Sequence, residues 1–425
     1  MHFPRLLAIA SFAIFVQAAP AAVHDLPAAK PDSEGMSSER LARLSSGMKE
    51  LIEQGRLAGV VTMVARHGKV VEFDAAGKRD LAANAPMQKD SIFRIYSMSK
   101  PITGVAMMML FEEGKWQLND PVSKYIPEFA NLKVYGTDAH NNVVMKEQAH
   151  PVTMVELMSH TGGFTYGFFS ATPVDKMQVE ADVLNPNNTL DEFIKRVAKL
   201  PLNAQPGTEW HYSISVDIQG YIVQKLSGMP FEEFLEKRIF KPLGMVDTGF
   251  YVPKEKLGRF AEMYNYDKDG KMQPVGVKEF LNHDFAAKPA LPSGGGGLVS
   301  TASDYMRFCE MLRNGGELDG TRLLSPLTVE LMRANVIPPN VPGVSPGVGF
   351  GLDFAVYTDP VAAGGYYGKS SYFWGGAAGT WFWIDPVNDL IVIGMIQQVA
   401  GPGAGAALPD VRGLSRNWAY QAIIK

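Results

Sequence analysis

Apolar residues along this chain recur with two different periods. Within residues 37–54 they fall at Leu41, Leu44, Met48, Leu51 and Ile52, with Gly55 following. That spacing predicts a helix with one apolar face and a glycine stop. Residues 59–66 and 69–75 are short, β-branched runs split by His67-Gly68, which predicts two strands and a tight turn. The far end repeats the pattern. Residues 379–385 and 390–397 flank Pro386-Val387-Asn388-Asp389 as a second hairpin, and residues 420–424 are assigned to a terminal helix. Helical periodicity dominates between the two ends, at residues 102–113, 153–159, 190–200, 215–226 and 231–239. Gly294 to Gly297 is a four-glycine run that predicts a tight loop.

Strands at both ends with helices between them predict an α/β fold. An antiparallel sheet flanked by helices is drawn from residues 23–110 and 285–425, and residues 111–284 form an inserted, mainly helical lobe. A chain of 425 residues suits such a two-lobed unit. The first 22 residues stand apart. Arg5 precedes an apolar run from Leu6 to Val16, and Ala19-Pro20-Ala21 then supplies small residues for cleavage. This predicts a signal peptide, and hence export to the periplasm or the medium. The run is shorter than the roughly 20 residues a bilayer span needs, and no later stretch reaches that length, so no integral membrane segment is expected after its removal.

A net charge of −4 and the absence of any Lys/Arg stripe argue against a nucleic-acid partner. Cys309 is the only cysteine, so no intramolecular disulfide is possible, and its helical surroundings assign it to the core. The eight histidines show no ligand spacing. No metal and no cofactor are expected.

Ser97-Met98-Ser99-Lys100 is a Ser-x-x-Lys motif, a pattern that chance supplies roughly once in a chain of this composition. A second copy, Ser46-Gly47-Met48-Lys49, has both ends on the polar side of the first helix and reads as solvated surface. The first copy is followed by Pro101, which a helix tolerates only in its first turn. Ser97 is therefore fixed at or beside a helix N-terminus, where N–H groups lack intrahelical partners and favour developing negative charge. Lys100 returns to the same face three residues later. A serine there can be a nucleophile and a buried lysine its base; an N-cap serine beside a surface lysine fits this motif alone equally well.

Further motifs decide between the two. Ser159-His160-Thr161-Gly162-Gly163-Phe164, Tyr212-Ser213, Pro242-Leu243-Gly244-Met245, residues 294–300 and Trp374-Gly375-Gly376 follow in order. With Ser97 and Lys100 they make the chain, from about Gly35 onward, resemble the β-lactamase-fold serine hydrolases. Within these it is most similar to the bacterial family VIII carboxylesterases, relatives of class C β-lactamases. The resemblance implies a β-lactamase/transpeptidase-like fold. It implies Ser97 as nucleophile, Lys100 and Tyr212 as proton carriers, and an oxyanion hole from the N–H groups of Ser97 and Ala377. Trp374, Gly375, Gly376 and Ile214 would face the substrate, with the glycine motif on an edge strand. Tyr212 by itself reads as an aromatic core residue before a helix.

Two departures set the expected substrate. Ile214 stands where relatives that act on β-lactams or peptides have Asn, and Trp374 where they have a Lys or His cation. Lys369 and Lys288 are the nearest replacements that the sequence offers. A desolvated carboxylate without a partner is costly, so these changes point to neutral, short-chain esters cleaved through an acyl-enzyme. A β-lactamase, a D-amino-acid peptidase and an acyltransferase are the alternatives on the same residues, and a catalytically idle binding protein is the alternative outside enzymes. Gly343-Val344-Ser345-Pro346-Gly347 matches the nucleophile elbow of α/β-hydrolases. That elbow needs an N–H on the residue after the serine, and Pro346 has none.

Overall fold

The structure, a computed structural model, describes residues 26–169, 171–277, 283–399 and 408–425. The expected signal peptide lies outside them. Eight strands form the main antiparallel sheet: β1 (Gly59–Arg66), β2 (Lys69–Asp80), β3 (Ala85–Pro86), β4 (Val348–Phe350), β5 (Ala355–Tyr357), β6 (Tyr372–Gly375), β7 (Trp381–Asp385) and β8 (Leu390–Met395). Their order across the sheet is β4-β5-β6-β7-β8-β1-β2-β3, so the two ends of the chain meet at the β8–β1 pair, with Val61 opposite Met395. The α/β, β-lactamase/transpeptidase-like architecture expected from the sequence is the one observed.

Every residue of β1 is buried, because the sheet is covered on both faces. Val60 and Val64 point into a core shared with α1 (Ser38–Glu53), while Val61, Met63 and Ala65 point into the larger core on the opposite face. Helix α1 begins at its Ser37 cap, which accepts from the Arg40 N–H, and presents Leu41, Leu44, Met48 and Leu51 to the sheet. Helix α2 (Ser99–Glu112) is buried from Ser99 through Leu110, as befits a helix apolar on nearly all sides. It packs against α3 (Ser215–Ser227), while α4 (Ala302–Arg313) lies against β8 and β1 of the sheet. Cys309 is buried in α4. Helix α5 (Val411–Tyr420) lies beside α1, where Gly47 gives room for Trp418: a Cβ there would lie 2.3 Å from the indole.

Two expectations need correcting. Residues 421–424 are outside helix α5; Ile423 instead bridges to Met36, closing the two termini on each other. The helix predicted at 231–239 is present, α-helical over Phe231–Leu235 and running on as a π-helix over Glu236–Phe240. Strand β6 is interior, paired with both β5 and β7. Pairing with β5 stops at Phe373, so only Trp374 and Gly375 lack a neighbour on that side.

Candidate active site

Ser97 is placed by a backbone held in an unfavourable conformation. A short ladder of Phe93–Arg94 with Val299–Ser300 delivers the chain to Tyr96, whose φ is +40°. A non-glycine residue in that region costs on the order of 1–3 kcal/mol, offset by the contacts around it. The Tyr96 hydroxyl donates to Met263 Sδ (3.6 Å), its ring packs edge-on to Phe285, and the preceding Ile95 N–H donates to Leu298 O (3.0 Å). Ser97 then sits in the 3-10 turn Tyr96–Met98 that leads into α2.

Lys100, in the first turn of α2, is wholly buried. Its Nζ is 3.2 Å from Ser97 Oγ, 3.3 Å from the Tyr166 hydroxyl and 2.6 Å from Gly295 O, all within hydrogen-bonding reach. The glycine loop is fastened to this helix. Thr103 Oγ1 donates to Gly294 O (2.9 Å) and the Leu298 N–H to Ser99 Oγ (3.1 Å). Glycine is required because the loop runs against α3. A Cβ on Gly295 would lie 2.5 Å from Asp217 Oδ2 and 2.8 Å from the Tyr166 hydroxyl.

Tyr212 joins the site just before α3, but Lys100 meets the face of its ring, with Nζ 4.5 Å from the centroid. Its hydroxyl accepts from Trp374 Nε1 (3.3 Å), and its ring touches those of Trp374, Tyr166, His160 and Phe169. The phenol that Lys100 contacts through oxygen is Tyr166, which the sequence analysis missed although it lies two residues beyond the Ser159–Phe164 motif. Asp217 was missed as well. Its Oδ1 accepts from Ser293 Oγ (2.5 Å) and the Gly295 N–H (3.1 Å), and its side chain lies beside the Tyr166 hydroxyl. Burial raises the Asp217 pKa against the opposing pull of Lys100, and burial pushes the Tyr166 phenol well above its ordinary range.

His160 is wholly buried, and burial holds its pKa well below the ordinary value, with the charges of Lys100 and His211 acting in the same direction. Its Nδ1 faces Ser213 Oγ at 3.1 Å, so this imidazole packs the Tyr212 ring and does not reach toward Ser97 through that nitrogen. Ile214 is also fully buried, in the core with Ile218 and Ile222. The expectation that it faces the substrate is therefore corrected: the residue capping α3 turns inward.

Ala377 follows β6 in a turn and lines the same small pocket as Ser97, Gly295, Gly296 and Gly297. Gly376 makes this approach possible, since a Cβ there would lie 2.5 Å from Ile95 O, on the segment leading to Ser97. Trp374 turns its ring to Tyr212 and Phe350. Arg412, from α5, reaches the same turn. Its Nη2 donates to Gly376 O and Thr380 O (both 3.2 Å) and lies 2.4 Å from where a Gly375 Cβ would be. It is a cation that no local pattern revealed. Lys288 is instead engaged at Glu232 (2.9 Å). Ser345 is exposed on a loop that continues into strand β4, not into the helix a nucleophile elbow requires. Among the described residues, no cluster of His, Cys, Asp and Glu could hold a metal, and no helix is long and apolar enough to cross a membrane.

A serine beside a buried lysine at a helix start, faced by tyrosines and a glycine-bearing strand, defines a serine hydrolase of the β-lactamase fold. The chain belongs to the beta-lactamase family, whose profile matches residues 44–415. It is 35% identical over 373 residues to Protein Rv1367c of Mycobacterium tuberculosis, covering 85% of this chain and 91% of that protein. It is 30% identical over 370 residues to Esterase EstB of Burkholderia gladioli, covering 83% and 89%. Among solved structures it is similar to "EstCE1, a hydrolase with promiscuous acyltransferase activity", with a TM-score of 0.76, 27% identity, and 90% and 99% coverage. With the family, these likenesses make it a β-lactamase-fold serine hydrolase related to esterases.

Proposed function

We propose that the protein is an exported carboxylesterase that hydrolyses short-chain neutral esters through an acyl-enzyme on Ser97. The observation that carries the reading is the buried Lys100 Nζ 3.2 Å from Ser97 Oγ, in a site walled by aromatic rings. In this mechanism Lys100 takes the serine proton as Ser97 attacks the ester carbonyl. The N–H groups of Ser97 and Ala377 hold the oxyanion, and the proton passes through Lys100 and Tyr212 to the departing alcohol. A water then enters along the alcohol's path and releases the acid.

Trp374 supports neutral substrates, because it offers an apolar face where a charge-binding residue would stand. Arg412 does not reverse this: its Nη2 braces the turn through two carbonyls. An acyl transfer to an alcohol in place of water is the second reading, supported by the likeness to EstCE1. The test is kcat/KM on p-nitrophenyl acetate and butyrate, nitrocefin and a D-Ala-D-Ala peptide, with and without an added alcohol. Short esters should lead, nitrocefin should be slow, the peptide slower still, and Ser97→Ala should lose turnover and fluorophosphonate labelling. A β-lactam turned over faster than the short esters would refute the esterase reading.

A further inference from the structure

The tetrahedral centre on Ser97 has three outward directions. Its oxygen goes to the N–H groups of Ser97 and Ala377. Its leaving alcohol must face the groups that return the proton, Lys100 and Tyr212. The acyl chain takes what is left. Beside Ser97 and Ala377 lies a pocket of about 80 Å³ lined by neither Lys100 nor Tyr212; Tyr166 lines it with its ring against Phe168 and Phe169, while its hydroxyl is engaged by Lys100. That pocket is where the acyl chain has room to go.

The pocket is also lined by Tyr96, Tyr166, Phe168, Phe169, Leu184 and His283. Two of these are unusual for large apolar side chains: Phe168 is 40% exposed and Phe169 55% exposed. They pack at a tilt along the pocket's wall, with ring centroids 4.6 Å apart and 4.7 Å and 5.4 Å from the Tyr166 ring. Gly167, at φ +86°, turns the chain into them, and its N–H is anchored on Asp175 Oδ1 at 3.0 Å. The rings are thus held along the pocket by neighbouring rings and a fixed turn, without being part of the core.

We propose that Phe168 and Phe169 form an aromatic stop that limits this enzyme to short acyl chains. The proposal rests on the esterase reading. A pocket of about 80 Å³ has room for a short acyl chain and none for a long one unless its aromatic walls move. A longer chain must displace exposed rings, losing their mutual contacts and its own desolvation.

The test is the ratio of kcat/KM across p-nitrophenyl acetate, butyrate, octanoate and dodecanoate, in wild type, Phe168→Ala, Phe169→Ala and the double variant. The leaving group is constant, so the ratio reports the acyl side. Wild type should drop at least about tenfold from butyrate to octanoate, and the double variant should recover most of that drop. Phe169→Trp should depress butyrate relative to acetate. Butyrates of methanol, phenol and 2-naphthol should keep their relative rates within about threefold in the alanine variants. Exposure of both rings makes folded variants the expectation, and circular dichroism checks it. A wild type with no drop at octanoate, or a double variant with the wild-type profile, overturns the aromatic stop while leaving the esterase intact. A wild type that cleaves no ester overturns the esterase reading itself, and the stop with it.

Discussion

Replacing Gly295 by alanine tests whether the glycine loop is what holds Lys100 in place. The added methyl would lie 2.5 Å from Asp217 Oδ2 and 2.8 Å from the Tyr166 hydroxyl, against an ordinary contact of 3.4 Å or more. Something must therefore move by several tenths of an ångström to about 1 Å. Both atoms are held: Asp217 is in α3 with its other oxygen tied to Ser293 and Gly295, and Tyr166 is tied to Lys100. The loop itself is the part that yields, and with it the 2.6 Å bond from Lys100 Nζ to Gly295 O. Overpacking of this kind costs about 1–3 kcal/mol in stability, a fall of a few degrees in Tm. Catalysis should suffer more, since a shift of about 1 Å in a reacting group costs on the order of 100-fold in kcat. The matched control is Gly296→Ala, where the nearest atom to a new Cβ is Tyr96 C at 3.8 Å, so its Tm should stay near wild type. Tm by calorimetry and kcat on p-nitrophenyl acetate read both effects. Gly295→Ala with wild-type Tm and kcat would refute the reasoning.

Further outcomes follow from the same geometry. Lys100→Arg should be nearly as inactive as Lys100→Ala, because a guanidinium stays charged and cannot accept the serine proton; near-normal turnover would mean Lys100 supplies charge alone. Tyr212→Phe should lower kcat by at least about 100-fold, and a large loss in Tyr166→Phe with near-normal Tyr212→Phe would transfer the second proton role to Tyr166. Glu72, whose Oε2 is buried without a hydrogen bond, has its pKa raised by burial to about 7. An acid raised in the folded state adds stability below its unfolded value near 4.5, and loses it as pH rises toward 7. Glu72→Gln should therefore be stabilising by about 1–3 kcal/mol at pH 8 and near neutral at pH 4, read by urea denaturation at both. Equal shifts at both values would refute the assignment.

What the sequence revealed depended on whether a signal was local. Continuous apolar runs marked β1 and β8 because both faces of the central strands are buried, and the 3–4 spacing marked α1 because only one of its faces is. Ser97 and Lys100 were legible because the chemistry needs them three residues apart on one helix. Tyr166, Asp217 and Arg412 were not, since each reaches the site through tertiary packing and carries no spacing of its own. Ile214 was misread for a related reason: a substituted motif position says which group is missing, not where the new side chain turns. Strand β6 was expected at an edge from the resemblance alone, and only its last two residues lack a neighbour on one side.

The pairing of β1 with β8 has a consequence in time. Val61 and Met395 are partners across nearly the whole polypeptide, and closing a loop of roughly 330 residues costs about 5 kcal/mol in chain entropy before any contact repays it. The proposed nucleophile is near the beginning of the chain, while Ala377, proposed to complete its oxyanion hole, lines the same pocket from near the end. A ribosome therefore makes Ser97 and Lys100 early and leaves them without a working site until the last strands emerge. Activity is a late event in the birth of this enzyme, and no fragment ending before residue 377 should carry it.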